Sequence, residues 1–314
     1  MSTQPMMNAV RIHEFGGPEV LKYEEAPRPE PGAGEILLEV KAVGVNPVDW
    51  KIREGEMEDQ MKHTLPLIPG IDAAGIVAAV GPGVTEFAPG DEVFAALDMA
   101  RDGSYAEYAV VKTQTVAAKP ASVDFVTAAA LPVAGVTAWQ CLFETAHLQA
   151  GQTVLIHGAS GGVGTLAVQL AHWKGARVVG TASAQNKEFL QKLGADEVID
   201  YHATRFEDVV SGVDVVLDTQ GGDTQERSWG VLKPGGSLVT TVPPPPSDAA
   251  KAHGVRGEFL FAHPDTAVLA QLAALVASGD LTPIIATTLP LAEARRAQEL
   301  SATGHTRGKI VLTV

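Results

Sequence analysis

Between about Met7 and about Pro132 the apolar positions come in short runs, and the runs read as strands. The segments "GEILLEVKAVGV", "AGIVAAV" and "YAEYAVV" are apolar with partial alternation, as half-buried strands require. The turn sequences "PEPGAG", "GPGV" and "APGDEV" separate them. Few helical periods intervene, so this part predicts a mostly β domain, with a loose tail before Met7.

The pattern changes near "FVTAAALPVAGVTAWQCLF". Ala-rich segments follow Asp124, Pro132 and Gly135 interrupt them, and a helix is expected through Trp139 and Phe143. From Thr153 strands and helices alternate. "TVLIH" reads as a strand. "GVGTLAVQLAHWKG" reads as a helix, with Val163, Leu166, Ala167, Leu170 and Ala171 on one face and Gly175 as its cap. "ARVVGTA" is a strand, and "QNKEFLQKLG" a helix closed by Gly194. "EVID", "DVVLDT", "GSLVTTV" and "GEFLFA" are further strands. Alternation of this kind, with near-continuous apolar strands, predicts a doubly wound parallel sheet. Strand character returns in "GKIVLTV", which is expected to rejoin the first domain. The predicted division is residues 1–132, completed by 263–314, and residues 133–262. The run Pro243–Pro246 predicts a stiff loop.

Composition narrows the function classes. The chain has 314 residues, 46% of them hydrophobic, and a net charge of -14. So acidic a surface disfavours nucleic acid as a partner. The single cysteine, Cys141, allows no internal disulfide and no cysteine-rich zinc site. No signal peptide or bilayer-length apolar run is evident, which makes the cytoplasm the expected location and a membrane an unexpected partner.

The chemistry concentrates in "VLIHGASGGVG", Val154 to Gly164. A G-x-G-x-x-G fingerprint would begin at Ala159, which fails the strict pattern, while Gly161 and Gly164 satisfy it. The context is the one such a motif needs: a strand before, a helix after and a second strand beyond. Gly161 allows close approach of a pyrophosphate, and Gly164 allows helix and strand to pack. The helix start adds N–H groups and a favourable dipole. Gly162 adds room and Ser160 a hydroxyl.

An acid at the end of the second strand would bind the ribose hydroxyls of NAD. Here the strand ends "VVGTASAQNK", with no acid between Thr181 and Lys187. Ser183, Asn186 and Lys187 stand there instead. A hydroxyl and an ammonium suit a 2′-phosphate, so NADPH is the expected cofactor.

The chain resembles the zinc-free medium-chain dehydrogenases/reductases of the quinone oxidoreductase (zeta-crystallin-like) group. The resemblance is carried by "EFGGPEVLKYEEAPRPEPGAGEILLEVKAVGVNPVDWKIREG", "PLIPGIDAAGIV", "GDEVFA", "GSYAEYAVV", "AALPVAGVTAW", "GASGGVGTLAVQLA", "LGADEVIDY" and "GKIVLTV", in the family's order. It implies an α/β protein with a GroES-like, mostly β catalytic domain, a Rossmann domain and an active site between them. It also implies a homodimer that reduces quinones or α,β-unsaturated carbonyls with NADPH. Ser160, Gly161, Gly162 and Val163 match the family's phosphate loop. Ser183, Lys187 and Tyr201 match its 2′-phosphate and adenosine contacts. Thr137, Phe259, Phe261 and Lys309 match positions near the nicotinamide or in the closing segment.

Zinc alcohol dehydrogenases of the superfamily carry a Cys after the early "VG" and a His-Glu pair after "PG". Here Asn46 and Asp49 stand in the first region and Ile71 and Asp72 at the pair. The histidines form no ligand pair at metal spacing and read as scattered structural or surface residues. A conjugated acceptor needs less activation than an alcohol, because charge from an incoming hydride spreads onto the carbonyl oxygen. Two candidates to stabilise that oxygen are Asn46, as a hydrogen-bond donor, and Lys51, as a charge. Asn46-Pro47 also reads as a turn, and Lys51 as a solvent-facing side chain. Competing readings are an NADPH-binding redox sensor or structural crystallin-like protein without catalysis, and an enoyl-thioester reductase.

Overall fold

A computed structural model describes residues 4–242 and 248–314, so the Pro243–Pro246 run lies outside the described residues. The chain divides into two compact units. One comprises residues 1–133, 264–278 and 283–314; the other comprises 134–263 and 279–282. Residues 279–282 therefore pack with the second unit, whereas the sequence pattern assigned the whole tail to the first.

The first unit is built on a sheet ordered Ile285–Pro290, Lys309–Thr313, Glu35–Val45, Asp72–Val80, Glu92–Ala96 and Val116–Ala118, with Tyr108–Lys112 also pairing Glu35–Val45. Its neighbours run antiparallel except the first two, which are parallel. The closing strand Lys309–Thr313 does rejoin this domain. Ile36, Leu38, Val40, Val43, Ala73, Val93, Ile310 and Leu312 form part of one buried cluster, which fixes the register, because a one-residue slip would turn them to solvent. A hairpin of Met6–Arg11 and Lys22–Pro27 opens this part of the chain, its first strand starting one residue before the predicted domain start at Met7.

The helix Pro47–Glu54 follows the central strand and was not expected. Asn46 is its N-cap in extended conformation, Pro47 stands at its first turn, and Asp49 completes a capping box by accepting the Asn46 N–H at 2.8 Å. The Asn46-Pro47 pair is thus a helix start rather than a simple turn.

Among the described residues the second unit holds six parallel strands. Numbered along the chain they are Thr153–Ile156, Arg177–Ala182, Glu197–Asp200, Val213–Asp218, Leu232–Thr240 and Arg256–Phe259, and their order in the sheet is 3-2-1-4-5-6. This is the order of dinucleotide-binding doubly wound sheets. Leu155, Val179, Val216, Leu238 and Trp229 share its core. The helix Gly162–Trp173 follows the first strand, and Lys187–Lys192 follows the second. Gly175 and Gly194 adopt positive φ just past these helices, as their capping role requires. The helix Pro132–Trp139 runs on into a π-helical segment, Gln140–Thr145, that carries Phe143.

Candidate functional site

In the second unit all six strands point their C-terminal ends to one edge, because they are parallel. The glycine-rich loop leaves the first strand there, Ser183 follows the second, Tyr201 the third, and Phe259 ends the sixth.

The loop resolves the irregular fingerprint. The left-handed residue of the turn is Gly158, at φ 65°, one position before the motif begins. Ala159 needs no glycine conformation and is fully buried. Its methyl faces Gly180 of the second strand, where an added Cβ would come within 2.9 Å. Gly164 allows close packing: a Cβ there would meet the Ala159 carbonyl carbon and Cα at 2.7 Å, and the Gly158 carbonyl oxygen closer still. At Gly161 the nearest atom to an added Cβ would be the Gly158 oxygen at 3.4 Å, an ordinary contact. Gly161 is therefore not required by packing within the protein. Its bare backbone faces open space at the N-cap of the helix Gly162–Trp173. Ser160, Gly161, Gly162 and Val163 are half-exposed while their neighbours Ala159 and Gly164 are buried. The first N–H groups of a helix have no intrahelical partner. A half-exposed helix start with a bare N-cap fits a dinucleotide pyrophosphate.

Beyond the second strand Asn186 donates to Ser183 Oγ at 3.0 Å. Lys187 is exposed and starts its helix. Tyr201 is 51% exposed and donates its backbone N–H to Ala182 at 3.3 Å, which brings it beside the end of the second strand. A carboxylate the sequence reading passed over also lies at this edge: Asp200 pairs with Ala182 in register, and its Oδ1 accepts the His202 N–H at 3.1 Å. Thr137 is buried within Pro132–Trp139. Phe259 and Phe261 are 44% and 49% exposed.

The other candidates lie in the first unit, and the sheet register explains their meeting. Ile310 pairs with Val45, which sets Lys309 opposite Asn46, while Asp72 opens the strand on the other side of Glu35–Val45. Lys309 Nζ, buried, donates to Asn46 Oδ1 at 2.6 Å, Val45 O at 3.0 Å and Asp72 Oδ2 at 3.1 Å. Asn46 Nδ2 donates to the same Asp72 oxygen at 2.8 Å. Asp72 Oδ1 accepts the Val133 N–H at 2.8 Å. Gly44 leaves room for the carboxylate, since a Cβ there would lie 2.6 Å from Asp72 Oδ2. Both polar atoms of the Asn46 amide are thus engaged within the protein, and so is the Lys309 ammonium. Lys51 stands apart from this network, half-buried, with Nζ 5.6 Å from the Trp50 ring centroid.

The network extends inward. Asp49 Oδ2, besides capping Asn46, accepts from Tyr105 OH at 3.1 Å. Complete burial pushes the Asp49 carboxyl up to about 7, and Asp72 nearby adds to the effect. Burial likewise raises the Tyr105 phenol. The pattern Asn46-x-x-Asp49 was the available signal, because it is a capping box written in sequence.

The superfamily's zinc positions do not fit a metal here. Ile71 offers no donor, and the Asn46 and Asp72 oxygens already surround an ammonium that would repel a cation. Among the described residues no three His, Cys, Asp or Glu side chains converge as a ligand set, and no helix is long and apolar enough to cross a membrane.

Comparison with known proteins agrees with both halves of this architecture. Residues 32–121 match the alcohol dehydrogenase GroES-like domain, and residues 193–312 match a family described as zinc-binding dehydrogenase. The chain is 35% identical to the quinone oxidoreductase of Pongo abelii and 36% to that of Sus scrofa, in each case over 98% of both proteins. The structure of the quinone oxidoreductase from Coxiella burnetii superposes with a TM-score of 0.91 at 35% identity, covering 99% of this chain and 100% of that one. A mycobacterial protein solved with NADPH gives 0.87 at 31% identity, covering 98% of this chain and 100% of that one. An NAD-dependent alcohol dehydrogenase gives 0.89 at 31%, covering 98% and 100%. With its sheet order, its glycine-rich loop and this full-length likeness, the chain belongs to the quinone oxidoreductase family of the medium-chain dehydrogenases/reductases.

Proposed function

We propose that the protein is an NADPH-dependent reductase of quinones or of the conjugated C=C of enals and enones, working without zinc. The observation that carries the reading is the C-terminal edge of the parallel sheet. There a bare Gly161 at a helix start faces open space, and Ser183 and Lys187 stand where a ribose-binding acid would otherwise be, with Tyr201 bonded to Ala182 just before them.

NADPH, when bound, supplies the hydride. The chain's own residues do the rest. Ser160, Gly161, Gly162 and Val163 hold the pyrophosphate, and Ser183, Lys187 and Tyr201 hold the 2′-phosphate and adenosine. Thr137, Phe259 and Phe261 border the nicotinamide. Lys309 belongs with Asn46 rather than with the cofactor, since its three bonds run to Val45, Asn46 and Asp72. Asn46 Nδ2 gives one proton to Asp72, and its second reaches Gly44 O only at 3.4 Å. That weakly held N–H is the donor for the carbonyl oxygen on which charge develops, with Lys51 as the alternative charge. The caged ammonium in place of a metal supports zinc independence. The single buried cysteine suits a reducing cytoplasm, and a homodimer is proposed as what the resemblance implies.

The test is direct. NADPH and NADH affinities are measured by fluorescence titration, and NADPH oxidation is followed with a panel of quinones, enals, enones and enoyl thioesters. Tighter binding of NADPH and turnover of a quinone or enone, undiminished by a chelator, are expected. Equal affinities would remove the cofactor assignment. NADPH binding without turnover of any acceptor would favour a sensor.

A further inference from the structure

His157 stands directly before the phosphate loop and is fully enclosed, with both ring nitrogens used. Nδ1 is 3.0 Å from Thr181 Oγ1, and Nε2 is 2.9 Å from Ser228 Oγ. The Ser228 hydroxyl spends its proton on Thr224 O at 2.6 Å, so it can only accept from the ring. Nε2 therefore carries the hydrogen, and Nδ1 accepts from Thr181. The ring is neutral: burial, aided by the charge of Arg227, lowers it to about 4 against the opposing pull of Asp218 and Glu207. Phe206 closes one side, with ring centroids 4.6 Å apart.

The backbone is gripped at the same place. The His157 N–H bonds Leu217 O at 2.9 Å, and its carbonyl accepts from Thr219 Oγ1 at 3.0 Å. Thr181 acts twice, binding the ring through its hydroxyl and accepting the Ala159 N–H at 3.2 Å through its carbonyl. The loop that follows turns at Gly158, whose φ of 65° glycine adopts without strain. One imidazole thus connects the end of the first strand to the second strand and to the helix Gly222–Ser228 that follows the fourth.

We propose that His157 is a positioning residue for the dinucleotide pyrophosphate: as a neutral imidazole bonded to Thr181 and Ser228, it fixes where the loop amides of residues 160–163 stand. This rests on the dinucleotide-binding reading above. The pyrophosphate is common to NADPH and NADH, so displacement of the loop weakens both by the same factor.

The experiment measures dissociation constants of NADPH and NADH by fluorescence titration, beside thermal melts, for wild type, His157→Ala and His157→Gln. Gln can return an N–H donor toward Ser228. His157→Ala is expected to weaken both cofactors about tenfold and equally at temperatures well below its melt, with His157→Gln recovering most of the loss. Should His157→Ala not fold, Thr181→Val and Ser228→Ala remove one ring partner each and are expected to weaken both cofactors severalfold. A lowered melting temperature with both affinities within twofold of wild type would show a purely structural residue and overturn the proposal, as would loss for one cofactor alone. A wild-type protein that binds neither cofactor would instead overturn the dinucleotide reading itself.

Discussion

Two glycines three residues apart make opposite predictions. In Gly164→Ala the new methyl lands on backbone: the Ala159 carbonyl carbon and Cα at 2.7 Å, and the Gly158 oxygen nearer still. Backbone cannot rotate away as a side chain can, so the loop or the helix must shift. Overpacking of this kind costs about 1–3 kcal/mol, set against about 1 kcal/mol gained from alanine's helix propensity. The net expectation is a loss of up to about 2 kcal/mol, towards the upper end because the clash is with backbone. In Gly161→Ala the methyl meets only the Gly158 oxygen at 3.4 Å, on a backbone at φ -79° and ψ -177° that alanine adopts freely. Its stability should stay within about 1 kcal/mol of wild type, a slightly poorer N-cap being offset by a less flexible unfolded chain. The methyl would, however, occupy the space that a pyrophosphate approaches, and NADPH affinity should fall at least about tenfold, or about 1.4 kcal/mol. Urea unfolding followed by circular dichroism gives the stabilities, and NADPH titration of the folded variants gives the affinities. A Gly161→Ala protein that binds NADPH like wild type would refute the assignment of that open space to cofactor. One destabilised as much as Gly164→Ala would refute the packing argument.

Lys187→Ala should weaken NADPH about tenfold and leave NADH nearly unchanged, in the range of a lost charge-assisted bond; titration with both cofactors checks this, and parallel losses would place Lys187 outside the 2′-phosphate site. Lys309→Met leaves Asp72 buried without its ammonium and should cost about 3–5 kcal/mol in urea unfolding, while Asp72→Asn/Lys309→Met should recover part of the loss. A Lys309→Met loss below about 1 kcal/mol would show that the buried pair is not needed for stability. The Asp49 carboxyl is raised to about 7 in the folded protein, above its value of 3.8 when free, so the folded state holds a proton that the unfolded state has released. Its contribution is present at low pH and is lost as pH rises through that window toward 7. His157, lowered to about 4 from 6.5, acts in the opposite sense over part of the same range. The difference between wild type and Asp49→Asn isolates the Asp49 share: the melting temperature of wild type should decline relative to the variant as pH rises from about 4 to 7, and parallel curves would refute the assignment.

The parallel-sheet unit was legible in the sequence because strands buried on both faces read as continuous apolar runs, and because glycines mark the ends of its helices. The strand-loop-helix setting of the glycine motif was legible too, although its turn was placed one residue late: Ala159 looked like a substituted turn glycine, but Gly158 makes the turn and Ala159 packs against Gly180. The helix Pro47–Glu54 escaped because its eight residues show little apolar periodicity; its signal lay in Asn46, Pro47 and Asp49 as cap residues. The Asn46–Lys309–Asp72 cage was not legible at all. Lysine and aspartate ordinarily face water, and only the register of three strands, far apart in sequence, brings these two indoors. His157 read as one scattered histidine among nine for the same reason, since its partners Thr181 and Ser228 meet it only across the sheet.

The cage has a consequence for the order in which the protein is made. Lys309 and Asn46 are separated by 263 positions, and Lys309 and Asp72 by 237. During synthesis the segment bearing Asn46 and Asp72 emerges long before Lys309, and its carboxylate lacks that counter-charge until residue 309 has been translated. The second unit, whose described sheet is drawn from residues 153–259, can close on itself in the interval. A nascent chain stalled before residue 309 would therefore carry a finished parallel-sheet unit and an incomplete GroES-like one, and the strand Lys309–Thr313 would act as the clasp that lets the earlier-made sheet settle after the later-made one.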